Sequence, residues 1–283
     1  MLALVTGAGS GIGEAVAEAL ARSGWRVLAI GRRIAPLTAL AARAPLCTPL
    51  AADVTTPEGV ESIRAWVETH GAGELRAVVH NAGTLGPIKP LLDVTTEELH
   101  AAMALNVYAP LEITRALLPF CANGARVLHV SSGAAHAAIA GWGCYCVCKA
   151  AFFQAYQVLR TEAASPDASG VAGGAAPPAA RAVLFGSVRP GTVTSGMQDA
   201  LRASSFPAVD RFRALHERRA PLEPGPDGAL LARAPPKDGL DDPRNVAVFV
   251  RWLVASAPAA EFGAAEWDVR DAAHHGQWVG TGW

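Results

Sequence analysis

The chain has 283 residues, 51% of them hydrophobic and 17% charged, enough apolar chain to bury the core of one large domain or two small ones and too apolar for wholesale disorder. Twenty-four basic against 25 acidic residues leave a net charge of −1, which argues against a general nucleic-acid binder, because meeting phosphates takes a basic face. No run of about 18 uninterrupted apolar residues occurs, so no membrane-spanning helix is expected, and five cysteines with three of them inside residues 144–148 suit a reducing compartment better than a disulfide framework.

Leu2-Ala3-Leu4-Val5 reads as a first strand entered without a leader, so no targeting segment is expected and a cytoplasmic location is the default. Further strands are expected at residues 26–30, 47–51, 75–80, 126–131, 181–188 and 267–269. Between them run segments with helical spacing, such as Ile12, Val16 and Leu20, or Leu105, Ile113 and Leu117. This alternation predicts βαβ units and an α/β fold of three layers: a doubly wound parallel sheet with helices on both faces. Residues 165–180, rich in Ala, Gly and Pro, and residues 222–239, with Pro224, Pro226, Pro235 and Pro236, read as surface insertions. The strand pattern resumes after each, so a single domain across residues 1–283 is expected.

The first strand runs into Thr6-Gly7-Ala8-Gly9-Ser10-Gly11-Ile12-Gly13, and a helical pattern follows. Glycines at 7, 9, 11 and 13 let the backbone turn tightly beside a pyrophosphate, while the helix start offers free N–H groups to the anion. Such a turn between strand and helix points to a dinucleotide. The end of the second strand chooses the cofactor. An acidic residue there would hold the ribose 2′-hydroxyl of NAD, but the chain has Gly31 followed by Arg32 and Arg33, two guanidiniums suited to the 2′-phosphate of NADP(H). After the third strand, the Asp53 carboxylate, with Val54 beside it, is placed to contact adenine; after the fourth, Asn81, Ala82 and Gly83 let a ribose approach.

Tyr145 and Lys149 are four residues apart on a helical stretch and share a face. Ser132 closes the fifth strand, at the carboxyl end where parallel sheets form their crevice, and Asn106 falls inside the long helix before it. Hydride delivery to a carbonyl leaves charge on oxygen, so a proton donor must stand beside it. A phenol of pKa near 10 is a reluctant donor at neutral pH, and an ammonium nearby is expected to lower it. The serine hydroxyl can hydrogen-bond the same oxygen.

With these residues in place, the chain resembles the short-chain dehydrogenase/reductase family. TGAGSGIG, Asn81-Ala82-Gly83, Asn106, Ser132, YCVCK at 145–149 and Pro190-Gly191 carry the likeness over nearly the whole chain. The resemblance implies a single-domain Rossmann-type fold, a water on Asn106 linking to Lys149, contacts of Tyr145 and Lys149 with the nicotinamide ribose, and a carboxamide held by Val193 and Ser195, where many relatives have Thr. Longer strings, NAGTLGPIKPL, NVYAPLEIT and PGTVTSGMQDALR among them, look like benzil reductases and sepiapterin-reductase-like members, which reduce 1,2-dicarbonyls with NADPH. In that likeness Asp268 matches a pterin-anchoring carboxylate, although an ordinary surface Asp fits the sequence equally. Trp142, Met197 and the Pro-rich region after Leu222 are expected at the substrate pocket, and the Tyr145 helix is expected to pack on its copy in a homodimer or homotetramer.

The expected activity is therefore NADPH-dependent reduction of a small-molecule carbonyl, with no nucleic-acid or membrane partner. Rival readings are an NAD(P)-dependent secondary-alcohol dehydrogenase and a regulator that binds NADPH without turnover. Cys144, Cys146 and Cys148 are poor metal ligands, since residues two apart on a helix point about 200° apart. They read as small packing residues, and a thiol near Lys149 is a candidate for a lowered pKa. His274-His275 reads as a solvated tail.

Overall fold

The computed structural model describes residues 1–164, 183–206, 209–225 and 228–283. The strands are β1 (Leu2–Thr6), β2 (Arg26–Gly31), β3 (Cys47–Ala51), β4 (Leu75–His80), β5 (Cys121–Val130), β6 (Leu184–Arg189), β7 (Arg219–Ala220), β8 (Leu240–Asp241) and β9 (Trp267–Asp268). Seven form one sheet in the order β3-β2-β1-β4-β5-β6-β9, every neighbour parallel, and β7 pairs with β8 apart from it. The strand order reverses between β1 and β4, and a crevice opens beyond their carboxyl ends.

The helices are α1 (Gly11–Arg22), α2 (Ile34–Arg43), α3 (Pro57–Gly71), α4 (Thr96–Met103), α5 (Ala109–Leu117), α6 (Gly143–Ala164), α7 (Gly196–Arg202), α8 (Val209–Glu217), α9 (Pro243–Ala255), α10 (Ala259–Phe262) and α11 (His275–Trp278). The pleat of β1 explains the three layers, because successive side chains point to opposite faces. Ala3 and Val5 pack with Val16 and Leu20 of α1 and Phe249 of α9, whereas Leu2 and Leu4 pack with Ile63 of α3, Ile113 of α5 and Tyr156 of α6. Helix starts follow local chemistry. Thr56 accepts from Gly59 N–H ahead of α3, Thr95 and Glu98 form a capping box on α4, and Asp242 caps α9.

The fifth strand begins five residues earlier than expected, at Cys121, and the sixth begins at Leu184 and runs one residue further, to Arg189. The insertion expected at 165–180 lies outside the described residues. The described residues of the second stretch, 222–225 and 228–239, are stitched to the body rather than lying loose on it. Leu222 and Ala232 are buried, Arg233 N–H donates to Asn245 Oδ1, and Leu231 bridges to Gly282. The solvated-tail expectation for His274-His275 is overturned. His274 lies 4.5 Å from the Trp267 ring, the His275 ring meets Trp278 at 5.5 Å, and Trp278 is fully buried, 5.1 Å from Phe249. Backbone bonds from Gly280 to Ala232 and from Trp283 to Leu230 close the tail over the Pro-rich stretch, so each supplies the other's missing partners.

Candidate active site

At the crevice lies a cavity of about 1780 Å³. Its floor is the turn between β1 and α1, where Gly7 and Gly11 have φ of +68° and +59°, a region costly to any residue with a Cβ. The first N–H groups of α1 have no intrahelical acceptor and form the anion-binding end of the helix. Gly13 does not line the cavity. A Cβ there would come within 2.4 Å of the Gly7 carbonyl, so its role is close packing beneath the turn. Thr6, not singled out from the sequence, ties the site together: its hydroxyl accepts from the N–H groups of Asn81 and Ala82, each at 3.1 Å. Asn81 Nδ2 returns a bond to Thr6 O at 3.0 Å.

Gly9, Ser10, Ile12, Arg32, Arg33, Asp53, Val54, Asn81, Ala82 and Gly83 line one end of the cavity. Arg32 and Arg33 are exposed at the end of β2. Asp53 accepts from the Thr55 hydroxyl and N–H at 2.7 and 2.9 Å, and these bonds, with Arg32 nearby, hold its carboxyl below the usual range. Such a cradle of Cβ-free turns, free helix N–H groups and two guanidiniums without an ion pair among the described residues fits a phosphorylated dinucleotide. Pro190, Gly191, Val193 and Ser195 form the facing wall, and Ser195 Cβ comes 3.5 Å from where a Cβ on Gly11 would sit.

Ser132, Tyr145 and Lys149 meet at the middle of the cavity. Ser132 lies two residues past β5 and caps a short 3-10 turn, accepting from Ala134 N–H at 3.1 Å, and its hydroxyl also bonds the Tyr145 phenol. Lys149 Nζ donates to Val130 O at 2.8 Å and stands 5.7 Å from the centre of the Tyr145 ring. Burial pushes Tyr145 up to about 12 and Lys149 down to about 8. The expected lowering of the phenol by the ammonium is thus not what the structure gives. Desolvation sets the direction, and the Ser132 bond opposes it. The phenol therefore stays protonated through the neutral range and, before any substrate binds, is a weaker acid than a free phenol.

Asn106 lies inside the helical run before β5, as expected, within a π turn, residues 104–108, that joins α4 to α5. Such turns interrupt the ordinary helical ladder and recur at functional sites. Its amide nitrogen donates to Thr84 O and Ala102 O, and its oxygen accepts from Thr84 N–H. Asn106 does not line the cavity, but a Cβ on Gly83 would touch Asn106 Oδ1 at 2.8 Å and Lys149 Nζ at 4.0 Å, so Gly83 is the window between them. Thr84, which clasps Asn106 through its backbone, carries no sequence signal of its own.

Trp142 does both things the sequence left open. It lines the cavity and is packed, stacking on Phe212 at 4.8 Å. Met197 lines the same end. Asp268 lines the wall with both oxygens engaged: Arg189 pairs with Oδ2 at 2.9 Å, and Arg270 N–H donates to Oδ1 at 2.9 Å. A substrate binding this carboxylate must compete with Arg189. Burial raises the thiols of Cys144 and Cys148, overturning the expectation of a lowered thiol for these two, and among the described residues no three ligand-type side chains gather for a metal.

Comparison with known proteins agrees with this architecture. The family model for short chain dehydrogenase matches residues 1–204. The chain is similar to the Bacillus cereus benzil reductase ((S)-benzoin forming), 28% identical over 233 residues that make up 78% of this chain and 88% of that protein. It is also similar to the 1-deoxy-11-beta-hydroxypentalenate dehydrogenase of Streptomyces avermitilis, 34% identical over 168 residues, 56% of this chain and 62% of that one. A short chain dehydrogenase from Burkholderia cenocepacia, solved in complex with NADP, superposes with a TM-score of 0.72 at 22% identity, covering 94% of each chain.

Proposed function

We propose, starting from the fact that the chain belongs to the short chain dehydrogenase family, that it is an NADPH-dependent carbonyl reductase acting on 1,2-dicarbonyl compounds. The observation that carries this reading is the meeting of Ser132, Tyr145 and Lys149 in one cavity whose far end is flanked by Arg32 and Arg33. The benzil reductase relative supports the substrate class. The NADP in the Burkholderia cenocepacia structure accords with the arginines.

When bound, NADPH supplies the hydride. The turn at Gly7–Gly11 and the start of α1 hold its diphosphate, Arg32 and Arg33 its 2′-phosphate, and Val193 and Ser195 the carboxamide. Asp53 faces the adenine, and Asn81, Ala82 and Gly83 the ribose. The Ser132 hydroxyl orients the substrate carbonyl, and the Tyr145 hydroxyl gives its proton to the oxygen as charge develops there. Lys149 stabilises the phenolate left behind, and Asn106 supports the return of a proton towards Lys149. Trp142 and Met197 enclose the substrate. Asp268 is a pterin anchor only if it exchanges Arg189 for the substrate. A second copy of the chain covers the outer face of α6, where Val147 and Val158 are exposed, to give a homodimer or homotetramer working in the cytoplasm.

NADPH oxidation with benzil and sepiapterin in parallel tests the substrate class. Turnover of benzil alone favours the benzil branch, turnover of sepiapterin the pterin branch, and turnover of neither withdraws the dicarbonyl assignment. The pentalenate dehydrogenase relative favours a second reading, oxidation of a secondary alcohol at the same site, which a panel of alcohols with NADP and NAD would reveal.

A further inference from the structure

The substrate end of the cavity carries a charge pattern that a neutral dicarbonyl does not use. Arg211, Leu215 and Arg218 recur at steps of four and three residues, so they share one face of α8, and that face lines the cavity. Arg218 sits one residue past the last turn, and its carbonyl lies against Gly239, where a Cβ would come within 2.2 Å. This contact brings Lys237, another lining residue, to the same end. Among the described residues none of these three cations has an ion-pair partner. Of the carboxylates in the same wall, Glu98 is paired with Lys89 at 2.6 Å and Asp268 with Arg189, which leaves Asp238 alone against three positive charges. In a protein of net charge −1, that excess is local.

Unneutralised cations in a concave, partly apolar wall focus a positive field inward and attract an anion. Next to them the wall is aromatic: Trp142 stacks on Phe212, and Phe206 approaches Trp142 at 5.9 Å. In the proposed reading the phosphates of the cofactor would be met at the opposite end by α1 and by Arg32 and Arg33, so they do not account for the charges of Arg211, Arg218 and Lys237. From this juxtaposition we infer that the substrate is an aromatic dicarbonyl bearing a carboxylate, which docks on the guanidiniums of Arg211 and Arg218 while its rings lie against Trp142 and Phe212. The inference rests on the carbonyl-reductase reading and narrows its substrate class.

The test compares 1-phenyl-1,2-propanedione carrying a para-carboxylate with the methyl ester of the same compound. The carboxylate is expected to have a kcat/KM about tenfold or more above the ester, the size of one charge-assisted hydrogen bond, through a lower KM. The preference should shrink at high salt and collapse in Arg211→Gln/Arg218→Gln, while that variant binds NADPH with the affinity of the parent. Equal kcat/KM for acid and ester, or a preference that survives the double substitution, overturns the inference. A loss of NADPH affinity in the variant overturns it too, by assigning the cations to the cofactor. Binding of the two compounds to the NADP-loaded protein, read by tryptophan fluorescence, separates the two layers. If neither is reduced, tighter binding of the acid sustains the anion site while the reductase reading falls, and equal binding removes the anion site as well.

Discussion

Lys149 Nζ donates to the Val130 carbonyl at 2.8 Å, and that bond fixes the ammonium 5.7 Å from the centre of the Tyr145 ring. The strand end of β5 therefore aims the lysine, and α6 carries both partners four residues apart. Because the pair is buried, Lys149 titrates near 8 and Tyr145 near 12. The ammonium is present below pH 8 and is lost as pH rises through that value. With it goes the charge that stabilises the phenolate left on Tyr145 after proton transfer. The kcat/KM for carbonyl reduction is expected to fall above about pH 8, a limb that reports the free enzyme. Lys149→Met should lower kcat about a hundredfold and flatten that limb. A wild-type profile level from pH 7 to pH 10 would remove Lys149 from this role.

Arg32 and Arg33 stand exposed at the end of β2 with no ion pair among the described residues. Replacing both by Ala is expected to raise KM for NADPH about ten- to a hundredfold and leave KM for NADH nearly unchanged, since only the 2′-phosphate distinguishes the two. Parallel losses with both cofactors would show that the arginines do not read the 2′-phosphate.

His80 and His129 are register partners on β4 and β5, both buried, with burial holding His80 near 3 and His129 well below its ordinary value. His80 bonds Thr114 Oγ1 at 2.9 Å through Nε2, and its Nδ1 has no hydrogen-bond partner among the described residues. Between about pH 3 and pH 6.5 the unfolded chain binds more protons than the folded one, so stability is lost as pH falls through that window, by up to about 1.4 kcal/mol per pH unit for each histidine. Urea midpoints at pH 7 and pH 5 should therefore differ in the parent and differ less in His80→Gln. An equal difference in both proteins would contradict the assignment.

Trp278 is fully buried against Phe249, and the tail around it pairs with the stretch near Leu230 and Ala232. Trp278→Ala is expected to destabilise the protein by about 3–5 kcal/mol, the usual cost of deleting a buried aromatic. Denaturant unfolding measures it directly, and a change below about 1 kcal/mol would mean that the tail can leave without loss.

The parts of this molecule that could be read from the chain are those whose chemistry is local. The glycine turn needs only neighbouring residues to specify its geometry, and Tyr145 and Lys149 need only one helix to share a face. The alternation of buried strands with amphipathic segments likewise specified the doubly wound sheet. What escaped depends on distant contacts. His274 looks like a solvated residue until β9 and α9 bring Trp267 and Trp252 beside it. The phenol pKa follows spacing only in water, and it is burial, a property of the whole fold, that decides its direction. Gly13 matches a cofactor motif, yet it serves the packing of the turn. The inner face of α8 is visible as a spacing of Arg211, Leu215 and Arg218, but that it faces the cavity follows only from the packing of the fold.

The most direct test of the account is NADPH oxidation with benzil by the parent and by Tyr145→Phe, with NADPH affinity measured in both. Turnover is expected in the parent, with a loss of about a hundredfold or more in the variant at unchanged NADPH affinity, because the substitution removes one hydroxyl and leaves the ring in place. Equal turnover in the two proteins would show that Tyr145 is not the proton donor and would contradict the mechanism at its centre.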